Sequence, residues 1–167
     1  MKKIQYVFYL FLFQLPNILS GSSLDKYGDR IELLGIAFKD PLVLCQILIA
    51  VFISIAFFQS GIDKIIDRTG NIKFFNVHFE NTFLKGFTPF LLSILTILEL
   101  LGSITLVYGI YYSFVMRTTL WIFYGFVVVA MTIIFLFAGQ RIAKDYLGAA
   151  DLVPYFILIM LGIMSMY

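Results

Sequence analysis

The sequence predicts an all-α fold, an integral membrane four-helix bundle with an additional N-terminal hydrophobic segment. Of its 167 residues, 61% are hydrophobic and 13% are charged, whereas a soluble domain carries about 25% charged residues. Mean hydropathy is +0.97. Uncharged apolar stretches recur along the chain at the length of about 20 residues that one bilayer crossing needs. Together these observations predict that lipid covers most of the folded surface.

The N-terminal hydrophobic segment, residues 4–24, has two interpretations. It follows Lys2 and Lys3 and ends near the small residues 20–23, which is the order found in a cleaved signal peptide. Against cleavage, Leu19 occupies a position where a small residue is usual, and a proline interrupts the apolar run. A retained fifth membrane helix is therefore the alternative.

Four further apolar stretches predict the spanning helices. They cover residues 41–62, 88–116, 118–140 and 152–167, the last extended backward to about residue 149. The predicted organisation is a signal peptide or membrane helix at 1–23, an extracytoplasmic segment at 24–40 and a four-helix domain at 41–167.

Local residue choices predict where three of these helices start or stop. Thr88 precedes Pro89, and this pair is typical of an N-cap followed by the first helical position. Asp151 is predicted to cap the last helix. Gly70 is predicted to end the first helix after a short extension beyond the membrane, because glycine is the usual helix terminator.

Basic residues predict which connections face the cytoplasm. Six lie in the connections after the first and third spanning helices and four on the other side: Lys64, Arg68, Lys73, Lys85, Arg141 and Lys144 against Lys26, Arg30, Lys39 and Arg117. The positive-inside rule places the first group in the cytoplasm. We therefore expect a multi-pass membrane protein, with residues 71–86 lying at the cytoplasmic lipid interface.

Several classes of site are excluded by composition. The formal net charge is +2 without a dense basic cluster, so nucleic acid is not a predicted partner. Cys45 is the single cysteine, which excludes an intrachain disulfide and dithiol chemistry. His78 is the single histidine, so neither a paired-histidine haem nor a His/Cys zinc site has its ligands. No metal and no intrinsic cofactor is predicted.

Glu99 is the strongest candidate for a functional residue. Thirteen uncharged residues precede it and 17 follow, and a carboxylate inside a membrane span costs roughly 2.5 kcal/mol or more. Helical spacing places Thr96, Gly102 and Ser103 on its face, and such a small, polar face packs against other helices. Glu99 is therefore predicted to point into the bundle. The alternative to a functional role is a structural carboxyl that fixes helix packing.

Two further polar groups are candidates because both end at the same membrane face. They are Gln59, Asp63 and Lys64 at the end of the first helix, and Gln140, Arg141, Lys144 and Asp145 after the third. Lys64 or Arg141 is the expected basic partner of Glu99. Such donors around a carboxylate would suit a quinone head group or a purely structural network. The alternative for both groups is a solvated helix end that anchors the protein.

Three motifs on this pattern resemble the DoxX family. Residues 57–64 carry the spacing F-x-x-x-G-x-x-K, residues 99–102 carry E-x-x-G, and residues 140–150 are similar to that family's third connection. The resemblance covers residues 41–167. It implies a four-helix bacterial membrane protein, and some relatives are tied to quinone-linked sulfur oxidation or to membrane redox complexes.

The leading functional hypothesis is a membrane subunit or anchor of a redox assembly that contacts a quinone and holds no cofactor of its own. Its expected partners are the lipid bilayer and other subunits of such a complex. One alternative is a small carrier that uses Glu99 as a proton or ion site. Another is a structural membrane scaffold. Whether the chain is an enzyme by itself stays open.

Overall fold

The computed structural model describes residues 31–33, 36–38 and 41–167. The chain divides into two units, Met1–Leu44 and Cys45–Tyr167. In the first unit, strands β1 (Ile31–Leu33) and β2 (Ile36–Phe38) pair antiparallel. This strand pair, which was not predicted, lies within the segment expected outside the cytoplasm. The predicted signal peptide or fifth helix at 1–23 lies outside the described residues.

Five helices follow, and four of them are long and apolar enough to cross a membrane. Their bounds are α1 Pro41–Ile66, α2 Arg68–His78, α3 Thr88–Met116, α4 Leu120–Ile142 and α5 Tyr146–Met164. The spanning helices α1, α3, α4 and α5 have 26, 29, 23 and 19 residues. The predicted four-helix membrane bundle is confirmed.

The spanning helices run alternately up and down. The α3–α4 and α4–α5 pairs pack most closely, and α1 reaches its neighbours mainly through side chains. At one end Gln46 of α1 donates to the Ser165 carbonyl after α5, at 2.8 Å. Further along, the rings of Phe52 and Tyr155 stack. Helix α1 therefore lies beside both α3 and α5. It packs less closely against them than α4 does.

Small residues allow the close approach of α3 and α4. A Cβ added to Gly109 would lie 2.6 Å from the Ile122 backbone nitrogen and 2.8 Å from the Trp121 carbonyl carbon. These are backbone atoms, so the helices touch main chain to main chain at this point. Close contact through glycine is a common way to pack helices in membranes, where apolar burial gives no driving force between them.

Helix α3 has the two faces that the sequence predicts. Its buried positions include the predicted polar and small face, namely Thr96, Glu99, Gly102 and Ser103. The opposite positions are exposed apolar residues, namely Ile94, Ile97, Leu101 and Ile104. Large apolar side chains are exposed in the same way along α1, α4 and α5. A surface of this kind suits lipid and not water.

The predicted end of α1 at Gly70 is wrong. The helix ends at Ile66, and Asp67 then caps a new helix, α2, by accepting a hydrogen bond from the Gly70 nitrogen at 3.0 Å. An aspartate that accepts from a backbone N–H three residues later is a strong helix start. Gly70, the expected terminator of α1, therefore lies in the first turn of α2. The predicted interfacial segment thus begins as a helix, with Phe74 and Val77 exposed.

Two predicted caps are also wrong. Asp145, not Asp151, starts α5 by accepting from the Gly148 nitrogen at 2.9 Å, and the helix begins at Tyr146. Thr88 is already helical, Phe87 holds the N-cap position, and no side chain caps α3. In both cases the predicted residue lies inside the helix, and its side chain does not cap the helix start.

The two ends of the bundle differ in composition. One end, called here the aromatic end, carries Tyr108, Tyr112, Trp121 and Tyr124, whose rings contact one another at centroid distances of 5.2–5.9 Å. The other, called here the basic end, carries Lys64, Arg68, Arg141 and Lys144. Tyrosine and tryptophan collect where a membrane meets water, so the aromatic cluster marks one boundary of the spanning region.

The orientation of these ends can be tested with two cysteine variants in a Cys45→Ser background. Asn76 on α2 and Thr118 between α3 and α4 are both exposed. With the basic end in the cytoplasm, an impermeant thiol reagent should label Thr118→Cys in intact cells. It should label Asn76→Cys only after the membrane is permeabilised. The reverse pattern would show that the charge-based orientation is inverted.

Candidate functional site

An ion pair between α1 and α3 forms the centre of the candidate site. Glu99 is 1% exposed, and the Lys64 ammonium nitrogen lies 3.0 Å from each of its carboxylate oxygens. The Lys64 side chain itself is only 11% exposed. Lysine at a helix end usually extends outward to water. Here it turns inward. Of the two predicted partners of Glu99, Lys64 and Arg141, the observed one is Lys64.

Ser60 completes the site and was not among the predicted residues. Its hydroxyl accepts from the Lys64 ammonium at 2.6 Å and donates to Glu99 Oε1 at 3.2 Å. The ammonium also lies 3.3 Å from the Ser60 carbonyl, one helical turn earlier. The available signal was the spacing of four residues between Ser60 and Lys64, which places both on one face of α1.

Gly61 permits the close approach of α1 to α3 at the ion pair. A Cβ at this position would lie 2.7 Å from Leu100 Cδ2 and 3.6 Å from the Cβ of Glu99. On the α3 side, Ser103 donates its hydroxyl to the Glu99 backbone carbonyl at 2.9 Å. Glu99 is therefore held by Ser60 and Lys64 from α1 and by Ser103 from its own helix.

Glu99 and Ser60 face an open cavity between the spanning helices, called here the Glu99 cavity. Its volume is about 190 Å³, and its walls come from α1, α3, α4 and α5. Ser60, Glu99 and Tyr155 are the polar residues of a lining that is otherwise apolar. Among the described residues, Glu99 Oε2 accepts no hydrogen bond of good geometry, although the ammonium is near. A liquid water occupies about 30 Å³, so the cavity has room for a ring-sized group or several waters.

Four of the other predicted residues do not join this site. Gln59 and Asp63 are exposed on the outer side of α1. Arg141 places its guanidinium 4.6 Å from the centre of the Tyr146 ring, a cation–π contact, and does not pair with Glu99. Lys144 is exposed and has a left-handed backbone, with φ of 62°. Of the predicted basic residues in the described part of the chain, Lys64 is the one that contacts Ser60 and Glu99.

Gln140 and Asp145 form a second polar cluster, together with His78. His78 Nε2 lies 2.7 Å from Gln140 Oε1 and 4.0 Å from Asp145 Oδ2. This contact fastens the end of α2 to the connection between α4 and α5. The start of α2 is held to α3, where Arg68 donates to the Ser93 hydroxyl at 2.8 Å. His78 was not predicted here, since residues 62 positions apart give no local signal.

Metal ligation has no clustered ligand set in the part of the chain that the structure describes. Across residues 31–33, 36–38 and 41–167, no three His, Cys, Asp or Glu side chains lie close enough to share an ion. The chemistry that the described site can offer is therefore that of a buried donor, Lys64, and a buried acceptor, Glu99.

The fold and the site define a class: a multi-pass integral membrane protein with a buried ion pair whose carboxylate lies on the wall of a cavity between the helices. Its exposed apolar helices suit contact with a lipid bilayer. No protein-family model, no curated protein and no solved structure matches this chain.

Proposed function

We propose that this protein is a DoxX-like subunit or anchor of a redox assembly in the bacterial inner membrane, and that the Glu99 cavity receives the head group of a quinone. The observation that carries the proposal is the buried Lys64–Glu99 pair, whose Glu99 member lies with Ser60 on the wall of a mostly apolar cavity. The three motifs that resemble the DoxX family, one containing Lys64 and one containing Glu99, support the same reading.

The residues present fit a quinone head group. Such a group is a flat apolar ring with carbonyl oxygens, which need hydrogen-bond donors when they are buried. Ser60 presents its hydroxyl on the lining and can donate to a head-group carbonyl in place of Glu99, and Phe57 and Tyr155 supply ring-shaped apolar surface there. Glu99 Oε2 keeps acceptor capacity that no described residue uses. When bound, a quinone supplies two-electron, two-proton redox chemistry.

The chain's own residues would hold and orient that head group. Lys64 Nζ lies behind the cavity wall and donates to Ser60 and Glu99, and a charge-assisted hydrogen bond of this kind is about twice as strong as a neutral one. Glu99 fixes the position of Nζ and holds a proton acceptor at Oε2. Ser60 links the two groups by accepting from one and donating to the other. Most of the lining is apolar, and low polarity strengthens all of these interactions.

The proposal is tested by quinone binding to the purified protein in detergent or in vesicles. The probes are benzoquinones and naphthoquinones with a short tail, so that only the head group is measured. Glu99→Gln keeps the size of the side chain but removes the charge that positions Lys64. We expect it to weaken binding by about 10- to 100-fold, the range for a hydrogen bond to a charged group.

Asp63→Asn is the matched control, because Asp63 is an exposed carboxylate on the same helix and should bind quinone as the unaltered protein does. Absence of quinone binding, or equal binding by Glu99→Gln, would contradict the proposal. Proton-coupled flux in liposomes without quinone binding would instead establish the carrier alternative. If the protein shows neither quinone binding nor proton-coupled flux, and both variants accumulate normally, the remaining function is that of a membrane scaffold.

A further inference from the structure

A second and larger cavity lies at the basic end, between α2, α3 and α4. It is called here the α2 cavity, and its volume is about 380 Å³. Its apolar walls come from Phe75 of α2, Phe79 just after it, Leu91 and Leu95 of α3, and Phe135 of α4. Ligand sites in proteins commonly have volumes of about 300–1,000 Å³ and linings of this kind. The α2 cavity therefore has the size and chemistry of a site for an apolar ligand.

The rim of the α2 cavity continues onto the lipid-facing surface of the bundle. Ile94 and Phe135 both line the cavity, and they are 41% and 56% exposed. Both belong to helices that span the membrane. An apolar molecule dissolved in the bilayer can therefore enter sideways between α3 and α4 without crossing water.

One buried polar group on the cavity wall has no partner. Thr88 is 1% exposed, and its hydroxyl makes no hydrogen bond with any described residue. Leaving such a group unsatisfied costs free energy comparable to a lost hydrogen bond. Thr88 was expected to cap α3, but it lies inside the first helical turn and its hydroxyl is not used as a cap. A ligand with an acceptor oxygen would satisfy it.

The position of Thr88 indicates which ligand this is. It is the first residue of a spanning helix, and the helix start lies near the boundary between hydrocarbon and head groups. Phospholipid ester carbonyls lie at that boundary, with the acyl chain extending inward from them. The cavity extends the same way, from Thr88 toward Leu98, which lies further along α3.

We propose that the α2 cavity binds one acyl chain of a bilayer phospholipid, and that the Thr88 hydroxyl donates to its ester carbonyl. This site is separate from the Glu99 cavity, although Leu136 contributes to the walls of both. The acyl chain fills the space beneath α2, and α2 is held over it by the His78–Gln140 contact at one end and the Arg68–Ser93 contact at the other.

The experiment uses the full chain in phosphatidylcholine vesicles that contain a phosphatidylcholine with a photoactivatable group in its acyl chain. Crosslinks should concentrate on residues lining the α2 cavity. Gly139→Leu should reduce them by about tenfold, because a Cβ at Gly139 already lies 3.5 Å from the Phe79 ring and a larger side chain fills the cavity. Ala150→Leu adds the same side chain at an exposed position of α5 and should leave them unchanged.

Thr88→Val provides a second test that keeps the side-chain shape. It should reduce crosslinking by about threefold, the size of one hydrogen bond within a membrane, and Thr88→Ser should restore it. Crosslinks that are unaffected by Gly139→Leu and by Thr88→Val would overturn the proposal. A competition experiment could also overturn it. If a long-tailed isoprenoid quinone removes the crosslinks and an equal amount of unlabelled phosphatidylcholine does not, the occupant is the quinone tail.

Discussion

Replacement of Lys64 by methionine should destabilise the bundle by about 3–5 kcal/mol, the usual cost of leaving one member of a buried ion pair without its partner. Methionine keeps the length and flexibility of lysine, so packing changes little. Glu99 remains 1% exposed, and it loses the ammonium group that lies 3.0 Å from both carboxylate oxygens. The free energy of unfolding is measured by denaturant titration of the purified protein in detergent.

The double variant Lys64→Met with Glu99→Leu should recover most of that loss, because two apolar side chains of similar volume can replace a buried pair without a net cost. Lys73→Met is the surface control, since Lys73 is exposed on α2. It should change stability by no more than about 0.5 kcal/mol. Simple additivity of the two single changes would show that Lys64 and Glu99 do not interact.

Gly109→Ala should destabilise the α3–α4 contact by about 1–3 kcal/mol, the usual cost of overpacking. The added methyl group would lie 2.6 Å from the Ile122 backbone nitrogen, so the two helices must move apart along their contact. Alanine favours helix over glycine by up to about 1 kcal/mol, which only partly offsets the clash.

Gly139→Ala is the matched control for this change, because its Cβ would lie at an ordinary contact distance of 3.5 Å from the Phe79 ring. We expect it to be neutral or slightly stabilising. Both variants are compared by the same denaturant titration. Equal stability of the two would show that α3 and α4 are not in main-chain contact at Gly109.

The spanning helices were predictable because their signals are local. Backbone groups in lipid must be satisfied within each helix, so a long uncharged run has a single structural solution. The bounds of α3, Thr88–Met116, agree with the predicted stretch. Its buried face was predictable as well, since Thr96, Glu99 and Ser103 follow helical spacing and need no knowledge of any other helix.

The partners of Glu99 were only partly predictable, since they depend on distances between helices. Lys64 and Arg141 were equal candidates in the sequence, and the stacking of Arg141 on Tyr146 removes it from the site. Ser60 was marked only by its spacing of four residues from Lys64, and its contact with Glu99 depends on the placement of α1 against α3. The start of α5 was wrong for a different reason: Asp145 and Asp151 are both plausible caps in the sequence, and the structure uses Asp145, which accepts from Gly148.

The order of the ion pair along the chain has a consequence for synthesis. Lys64 precedes Glu99 by 35 residues, and chains emerge from the ribosome with the N-terminal part first. Helix α1 is therefore already available when α3 enters the lipid with its carboxylate. An acid inserted alone costs roughly 2.5–3.5 kcal/mol at a helix centre, and the earlier cation offsets part of that cost as soon as the two helices meet. Reversing their order, with the acid on α1 and the lysine on α3, would make the uncompensated carboxylate the first charge to enter.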